Sequence, residues 1–207
     1  SNHPGHKLFV GFNRRYAPLV FQMKEKLATS DQPKSIIITV NAGQIPADHW
    51  AQDPIKGGGR IIGEACHFVD LAHHLIGEKC LHSYALASEQ PTSSNKLFDT
   101  ATINLRFADG STAAIHYLAN GHKSFSKERI EVFTGGRILR LDNFRTLEGW
   151  GWPGFSRKSL WRQNKGQVEC AHEFLAGGTA NNLENAESLF DVSKISIEVA
   201  EQMRRDH

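Results

Sequence analysis

Glu64, His67, Asp70 and His74 form the one polar stripe on an otherwise apolar stretch of the chain. Glu64 and His67 are three residues apart, so on a helix their side chains are neighbours. A carboxylate beside an imidazole suits proton transfer, because the imidazole is the side chain that changes charge near neutral pH. On a largely buried helix both groups are costly unless paired or used. The stripe also reads as the solvated side of an amphipathic helix, and residue types alone do not separate the two. Arg60 and the triple glycine 57–59 shift the balance toward a site, since a bare backbone lets another group approach closely.

Other spacings carry chemistry by their letters but not by their contexts. Residues 149–154, GWGWPG, match G-x-G-x-x-G letter for letter. They do not join a buried strand to a helix, Pro153 removes a needed N–H, and two tryptophans crowd the turn, so no dinucleotide site is expected there. No Walker A sequence is present. Glu64 to His67 and Glu169 to His172 are both E-x-x-H, half of a di-iron carboxylate site, but strands rather than bundle helices are expected between them. His67, Asp70 and His74 could hold one metal ion by spacing, yet nothing marks an open coordination position. His73 and His74 read better as helix-end residues at the negative end of the dipole, and no metal is expected. Cys66 reads as a small buried apolar residue.

The elements that must hold these residues follow from periodicity. Residues 57–77 predict a helix closed by Gly77, with Ile61, Ile62, Ala65, Phe68, Val69, Leu71, Ala72, Leu75 and Ile76 covering most of its circumference. A short apolar run at 7–12 predicts a strand, and a lone leading strand suggests the end of a preceding domain. Pro18 opens a helix carrying Leu19, Val20, Met23 and Leu27. The β-branched run 35–40 predicts a buried strand. The loop 44–56, with Pro46, His49, Trp50 and Pro54, is a candidate site wall. Strands are expected at 82–87, 100–107, 112–118, 129–133, 137–141 and 144–147, joined by hairpins at Asp109-Gly110 and Gly135-Gly136. An irregular loop is expected at 149–154, then helices at 168–175, closed by Gly177-Gly178, and at 182–205. The order is α+β: a large, mostly antiparallel open sheet with helices packed on one face. The other face should be covered by self-association, making the protein a homo-oligomer.

Composition bounds the function. The chain has 207 residues and a formal net charge of +2, so no strong field toward nucleic acid or membrane is implied. No apolar run is long enough to span a bilayer and no signal peptide is visible. Three cysteines, odd in number and without C-x-x-C spacing, suggest a reducing, cytoplasmic setting. Ser1-Asn2 reads as the remnant of a removed tag.

Several segments together resemble a known family. GFNRRYAP at 11–18, SIIITVNAG at 35–43, GGGRIIGEACHFVDL at 57–71, FADGS at 107–111, HYLANG at 116–121 and KERIEVFTGGR at 127–137 are similar to the carboxy-terminal domain of the GFO/IDH/MocA oxidoreductases. The subset most like it contains dehydrogenases of bacterial surface-polysaccharide pathways. The resemblance implies an amino-terminal Rossmann domain that binds NAD or NADP and supplies a lysine beside the nicotinamide, of which residues 1–12 would hold only the last strand. Residues 13–207 would then be the substrate-binding and oligomerisation domain.

By the resemblance, His67 takes the place of the family histidine, while the family aspartate four residues earlier is replaced by Gly63, with Glu64 next to it. Asp70 also matches a family position, where a structural role fits. The implied function is oxidation of a secondary alcohol on a sugar, nucleotide sugar or cyclic polyol. His67 would be the general base, and Glu64 would orient it, hold a substrate hydroxyl, or do neither. Arg60, Asn41, Trp50 and Lys127 are candidates for substrate binding, and Asn13 and Arg15, in the junction motif, for the nicotinamide side of the cleft. The chain alone should be inactive. Gly63 in place of the acid also keeps open a non-catalytic member of the fold that binds a ligand or partner.

Overall fold

The computed structural model describes residues 9–46, 48–88, 97–176 and 182–205, without the side chains of 182–186. A 3-10 turn, Asn13–Tyr16, leads into α1, Pro18–Leu27, with Pro18 in the first helical turn where its missing N–H costs nothing. Leu19, Val20, Met23 and Leu27 make one buried stripe of α1. The next strand is β1, Ser35–Asn41, and after the loop comes α2, Cys66–Ile76. The remaining strands are β2, Cys80–Ala87; β3, Ala101–Phe107; β4, Thr112–Leu118; β5, Glu128–Thr134; β6, Arg137–Asp142; β7, Thr146–Trp150; and β8, Arg157–Ser159. Helices α3, Gln167–Leu175, and α4, Asn182–Arg205, complete the described chain.

The eight strands form one sheet in the order β2-β3-β4-β1-β5-β6-β7-β8. All neighbours are antiparallel except β1 and β4, which run parallel. The pairing Ile115–Ile38–Ile130 runs across the centre. Alternation sends Ile36, Ile38 and Val40 of β1, Ala113, Ile115 and Tyr117 of β4, and Ile130 and Val132 of β5 to one face, where they meet α1, α2 and α4 in a single core. Helix α4 packs Val192, Ile195, Val199 and Met203 against β2 and α2. The opposite face carries Tyr84, Ile37, Phe133, Ile138 and Trp150 among polar and charged side chains, with Arg140 and Glu148 paired across β6 and β7.

Some expectations need correction. Phe9–Phe12 is not a strand: Phe12 N donates to Val10 O and Asn13 N to Gly11 O, both at 2.8 Å, so these residues form tight local turns and Phe12 enters the core. Residues 7 and 8 lie outside the described residues, as do Gly177 and Gly178. The strand expected at 144–147 starts two residues later, because Asn143 and Phe144 take the left-handed turn region. Gly149 and Trp150 belong to β7 rather than to a loop. Strand β8 was not anticipated, since all three of its residues are exposed and carry no alternation. The central helix ends as expected at Gly77, but its first turn, Ile61–Ala65, is a π-turn.

Candidate active site at the end of the sheet

The exit of β1, the exit of β4, the start of β5, the first turns of α2 and the 3-10 turn before α1 converge on one end of the sheet. Two linked clusters form there.

The first is built on Arg60, whose side chain is 2% exposed. Its guanidinium donates to Gly43 O at 2.7 Å, to Ala42 O at 3.4 Å and to both oxygens of Glu64, at 3.3 and 3.1 Å. The buried phenol of Tyr117 on β4 donates to Glu64 Oε2 at 2.5 Å. Burial works to raise the Glu64 pKa, but the hydrogen bonds from Arg60 and Tyr117, with the charges of Arg60 and Lys127, hold it below the usual range. Glu64 is thus a fixed, ionised carboxylate with about half its side chain exposed, 47%. Arg60 and Glu64 are four residues apart, and the stretch Ile61–Ala65 between and after them is a π-turn; such turns recur at functional sites.

The second cluster surrounds His67. Its ring meets the edge of Phe12 at 5.5 Å between centroids, so it lies at the end where the chain enters. The ring is half-buried, and Nδ1 is buried without a protein partner. Burial first, and then the Arg14 cation, push its pKa down to about 4, against the pull of Glu128 and Glu64. The imidazole is therefore uncharged at neutral pH and able to accept a proton. Arg14 lies over the Phe68 ring, 4.5 Å from its centroid, and donates to Glu128 Oε1 at 2.8 Å. Lys165 donates to the same oxygen at 2.9 Å.

The other expected site residues are placed differently. Lys127 is exposed at the start of β5, and its charge reaches Glu64. Asn41 is buried and donates from Nδ2 to His122 O at 2.8 Å, bracing the loop after β4. Trp50 is 64% exposed on its loop and is not brought against the two clusters by any contact described. Asn13 donates from Nδ2 to Lys165 O at 2.7 Å. Arg15 is buried and forms a two-pronged ion pair with Asp70 of α2, Nε reaching Oδ2 at 3.1 Å, so it ties the 3-10 turn to the helix rather than facing the cleft. No hydrogen bond joins Glu64 to His67.

The glycine run is approached by the chain itself: a Cβ on Gly57 would lie 2.4 Å from Trp50 O and 2.5 Å from Ala51 Cα. Arg14, Tyr117, Glu128 and Lys165 were not singled out from sequence as site residues. Phase could have found two of them. Tyr117 and Glu128 both alternate with core residues, and a buried hydroxyl or carboxylate demands a partner. Among the described residues no group of three His, Cys, Asp or Glu side chains is placed to hold a metal ion.

Comparisons with known proteins agree with this architecture. Residues 32–138, just over half of the chain, match the family described as "GFO/IDH/MocA C-terminal domain". No curated protein matches the sequence. Among solved structures, the aldose-aldose oxidoreductase from Caulobacter crescentus superposes with a TM-score of 0.74 at 15% identity over 98% of this chain and 63% of that one. A levoglucosan dehydrogenase in complex with NADH and levoglucosan gives 0.72 at 17% identity over 95% of this chain and 64% of that one. UDP-N-acetylglucosamine 3-dehydrogenase from Acidithiobacillus ferrooxidans gives 0.68 at 16% identity, over 95% and 63%. Identities this low establish a shared fold, and the chain spans less than two thirds of each of these relatives. With its mixed sheet, its helix-covered face and a matched segment that carries Arg60, Glu64, His67 and Tyr117, the chain belongs to the GFO/IDH/MocA family of oxidoreductases, as a carboxy-terminal domain.

Proposed function

We propose that this chain is the substrate-binding domain of an NAD(P)-dependent oxidoreductase that oxidises a secondary alcohol of a sugar, nucleotide sugar or cyclic polyol, with His67 as general base. One observation carries the reading: a neutral imidazole stands at the end of the domain where the chain enters, behind a fixed carboxylate. The named activities of proteins with the same fold support the substrate class.

The residues fit one edge of a nicotinamide cofactor and not its pyrophosphate. Gly149 and Trp150 are strand residues and Trp152 is buried, donating from Nε1 to Ile138 O at 2.9 Å, so the glycine-rich segment cradles nothing. The phosphates are therefore assigned to an amino-terminal Rossmann domain. Asn13 uses its amide N–H on Lys165 O and keeps Oδ1 as an acceptor suited to a carboxamide. When bound, the cofactor supplies the hydride acceptor. His67 takes the hydroxyl proton as the carbinol hydrogen leaves. Glu64, held by Arg60 and Tyr117, accepts from a substrate hydroxyl, while Lys127 contributes a cation. The free cysteines among the described residues suit a reducing cytoplasm. The sheet face away from the helices is assigned to self-association.

The test is His67→Ala in the chain joined to its nucleotide-binding domain. Turnover should fall by roughly 10²–10⁴ with the fold intact. A loss below tenfold would remove His67 from the role of base.

A further inference from the structure

Most cations at the site end of the sheet are matched to carboxylates. Arg60 pairs with Glu64, Arg14 and Lys165 share Glu128, and Arg129 reaches Asp142 at 3.5 Å. Lys123 and Lys127, on the loop between β4 and β5, are not. Both are exposed, neither meets an acidic partner among the described residues, and residues 119–127, ANGHKSFSK, contain no carboxylate.

An exposed lysine by itself is a solvated surface group. This loop differs in how firmly it is held. Asn41 N donates to Lys127 O at 2.8 Å and Asn41 Nδ2 to His122 O at 2.8 Å, so one buried asparagine grips both ends. Gly121 lies so close that a Cβ there would fall 2.0 Å from Asn41 Oδ1. Lys127 N and Glu128 N both donate to Asn143 Oδ1 at 3.0 Å, and Ser126 Oγ donates to Asp142 Oδ1. Within the loop, Phe125 N donates to His122 O at 3.1 Å, and the His122 ring is bonded to the Ser124 hydroxyl at 2.8 Å. A loop fixed in advance loses less freedom when a ligand binds.

The same asparagine joins the loop to the Glu64 clamp. The next two residues, Ala42 and Gly43, offer their carbonyls to Arg60, and Arg60 holds Glu64. The Lys127 charge is felt at Glu64. A fixed carboxylate beside unmatched ammonium groups calls for a ligand with hydroxyl donors in one part and negative charge in another. Ammonium groups bind phosphate as point charges, whereas a carboxylate is better met by the planar fork of an arginine. A neutral polyol would leave both lysines idle.

We propose that loop 122–127 reads a phosphoryl group, so that the alcohol oxidised belongs to a phosphorylated sugar: Lys127 and Lys123 meet the phosphoryl oxygens while Glu64 accepts from a ring hydroxyl. The inference rests on the reading of this end of the sheet as the substrate site. Phe125, 56% exposed between the two lysines, is available to stack on a base if the phosphoryl group is part of a nucleotide sugar.

The test is an amide NMR titration of the 207-residue chain without cofactor. The probes are glucose 1-phosphate, UDP-glucose, inorganic phosphate, glucuronate and glucose. At least one of the first two should shift the amides of 121–127 together with Glu64, and bind about tenfold or more tighter than the other three. Lys127→Gln should weaken that probe by about tenfold, Lys127→Arg should retain most of the binding, and Lys158→Gln on β8 should leave it unchanged. Glu64→Gln should weaken the sugar-bearing probe and spare inorganic phosphate. A tighter UDP-glucose that loses its advantage in Phe125→Ala assigns a nucleotide sugar, and equal affinities assign a simple sugar phosphate. Glucose or glucuronate binding as tightly, inorganic phosphate binding equally well, or an affinity unmoved by Lys127→Gln or Glu64→Gln overturns the proposal. His67 takes no part in this readout. An inactive His67→Ala enzyme without phosphoryl binding would defeat the loop and leave the base, and an active one with phosphoryl binding intact would do the reverse.

Discussion

At the scale of single residues, the site depends on two carboxylates held by different means. Glu64 is half-exposed but fixed, because Arg60 behind it is buried and also bonded to the carbonyls of Ala42 and Gly43. Tyr117 completes the clamp from β4, and burial with the neighbouring Glu64 raises its phenol pKa so far that it remains a donor. Tyr117→Phe removes one charge-assisted hydrogen bond and leaves the ring packing intact. The variant should lose about 1.5–3 kcal/mol in urea unfolding, and Glu64 should titrate higher than in the parent chain. An unchanged urea midpoint would mean that the clamp adds nothing to stability.

At the scale of elements, α2 is the part most exposed to acid. Burial lowers the pKa of His67 to about 4, lowers that of His73, and lowers that of His74, beside Lys24, to about 3. Unfolded, each would bind a proton near pH 6.5. The unfolded chain therefore binds more protons than the folded one as pH falls below that value, and stability falls with it. Glu64 and Glu128 have lowered pKa values, so their contribution is present above the unfolded value of 4.5 and is lost only as pH falls through their folded values. Between about pH 6.5 and 5 the histidines thus account for the trend. The urea midpoint should drop across that window, and His74→Gln should flatten the drop. A flat native profile there would contradict the burial of these rings. The second packing point of the site is Gly166, at φ +80°, whose Cβ would lie 2.4 Å from Asn13 O and 2.5 Å from Ala17 N. It lets the loop carrying Lys165 close onto the 3-10 turn.

At the scale of the whole molecule, one face of the sheet lies under helices and the other carries no helix among the described residues. Tyr84, Leu86, Phe133 and Trp150 remain exposed in large part, interleaved with the Arg140–Glu148 and Arg129–Asp142 pairs. Apolar side chains within complementary charge rows suit a second copy of the same surface. The chain should sediment as an oligomer, and Phe133→Asp should shift it toward monomer. A monomeric native chain at tens of micromolar would dismiss this surface as the interface. No described helix is long and apolar enough to cross a membrane. The domain by itself should not reduce NAD(P), because its residues fit only the nicotinamide edge. Steady NAD(P)H formation by this chain alone would refute that division of labour.

Local pattern in the sequence determined most of the elements. The β-branched run of β1, the Asp-Gly hairpin, Pro18 at the start of α1 and Gly77 at the end of α2 all act within a few residues, and all appear where that chemistry places them. The family was legible for the same reason, since motif and spacing are local. The partners were not. The helical wheel makes Glu64 a neighbour of both His67 and Arg60; it bonds Arg60, and Tyr117, 53 residues away, joins the pair from β4. Arg15 sat in a cleft motif, and folding gave it to Asp70, 55 residues away. Glu128 meets Arg14 across 114 residues and Lys165 across 37. A charge's partner depends on which strands pair and which loops close over them, and only tertiary structure decides that.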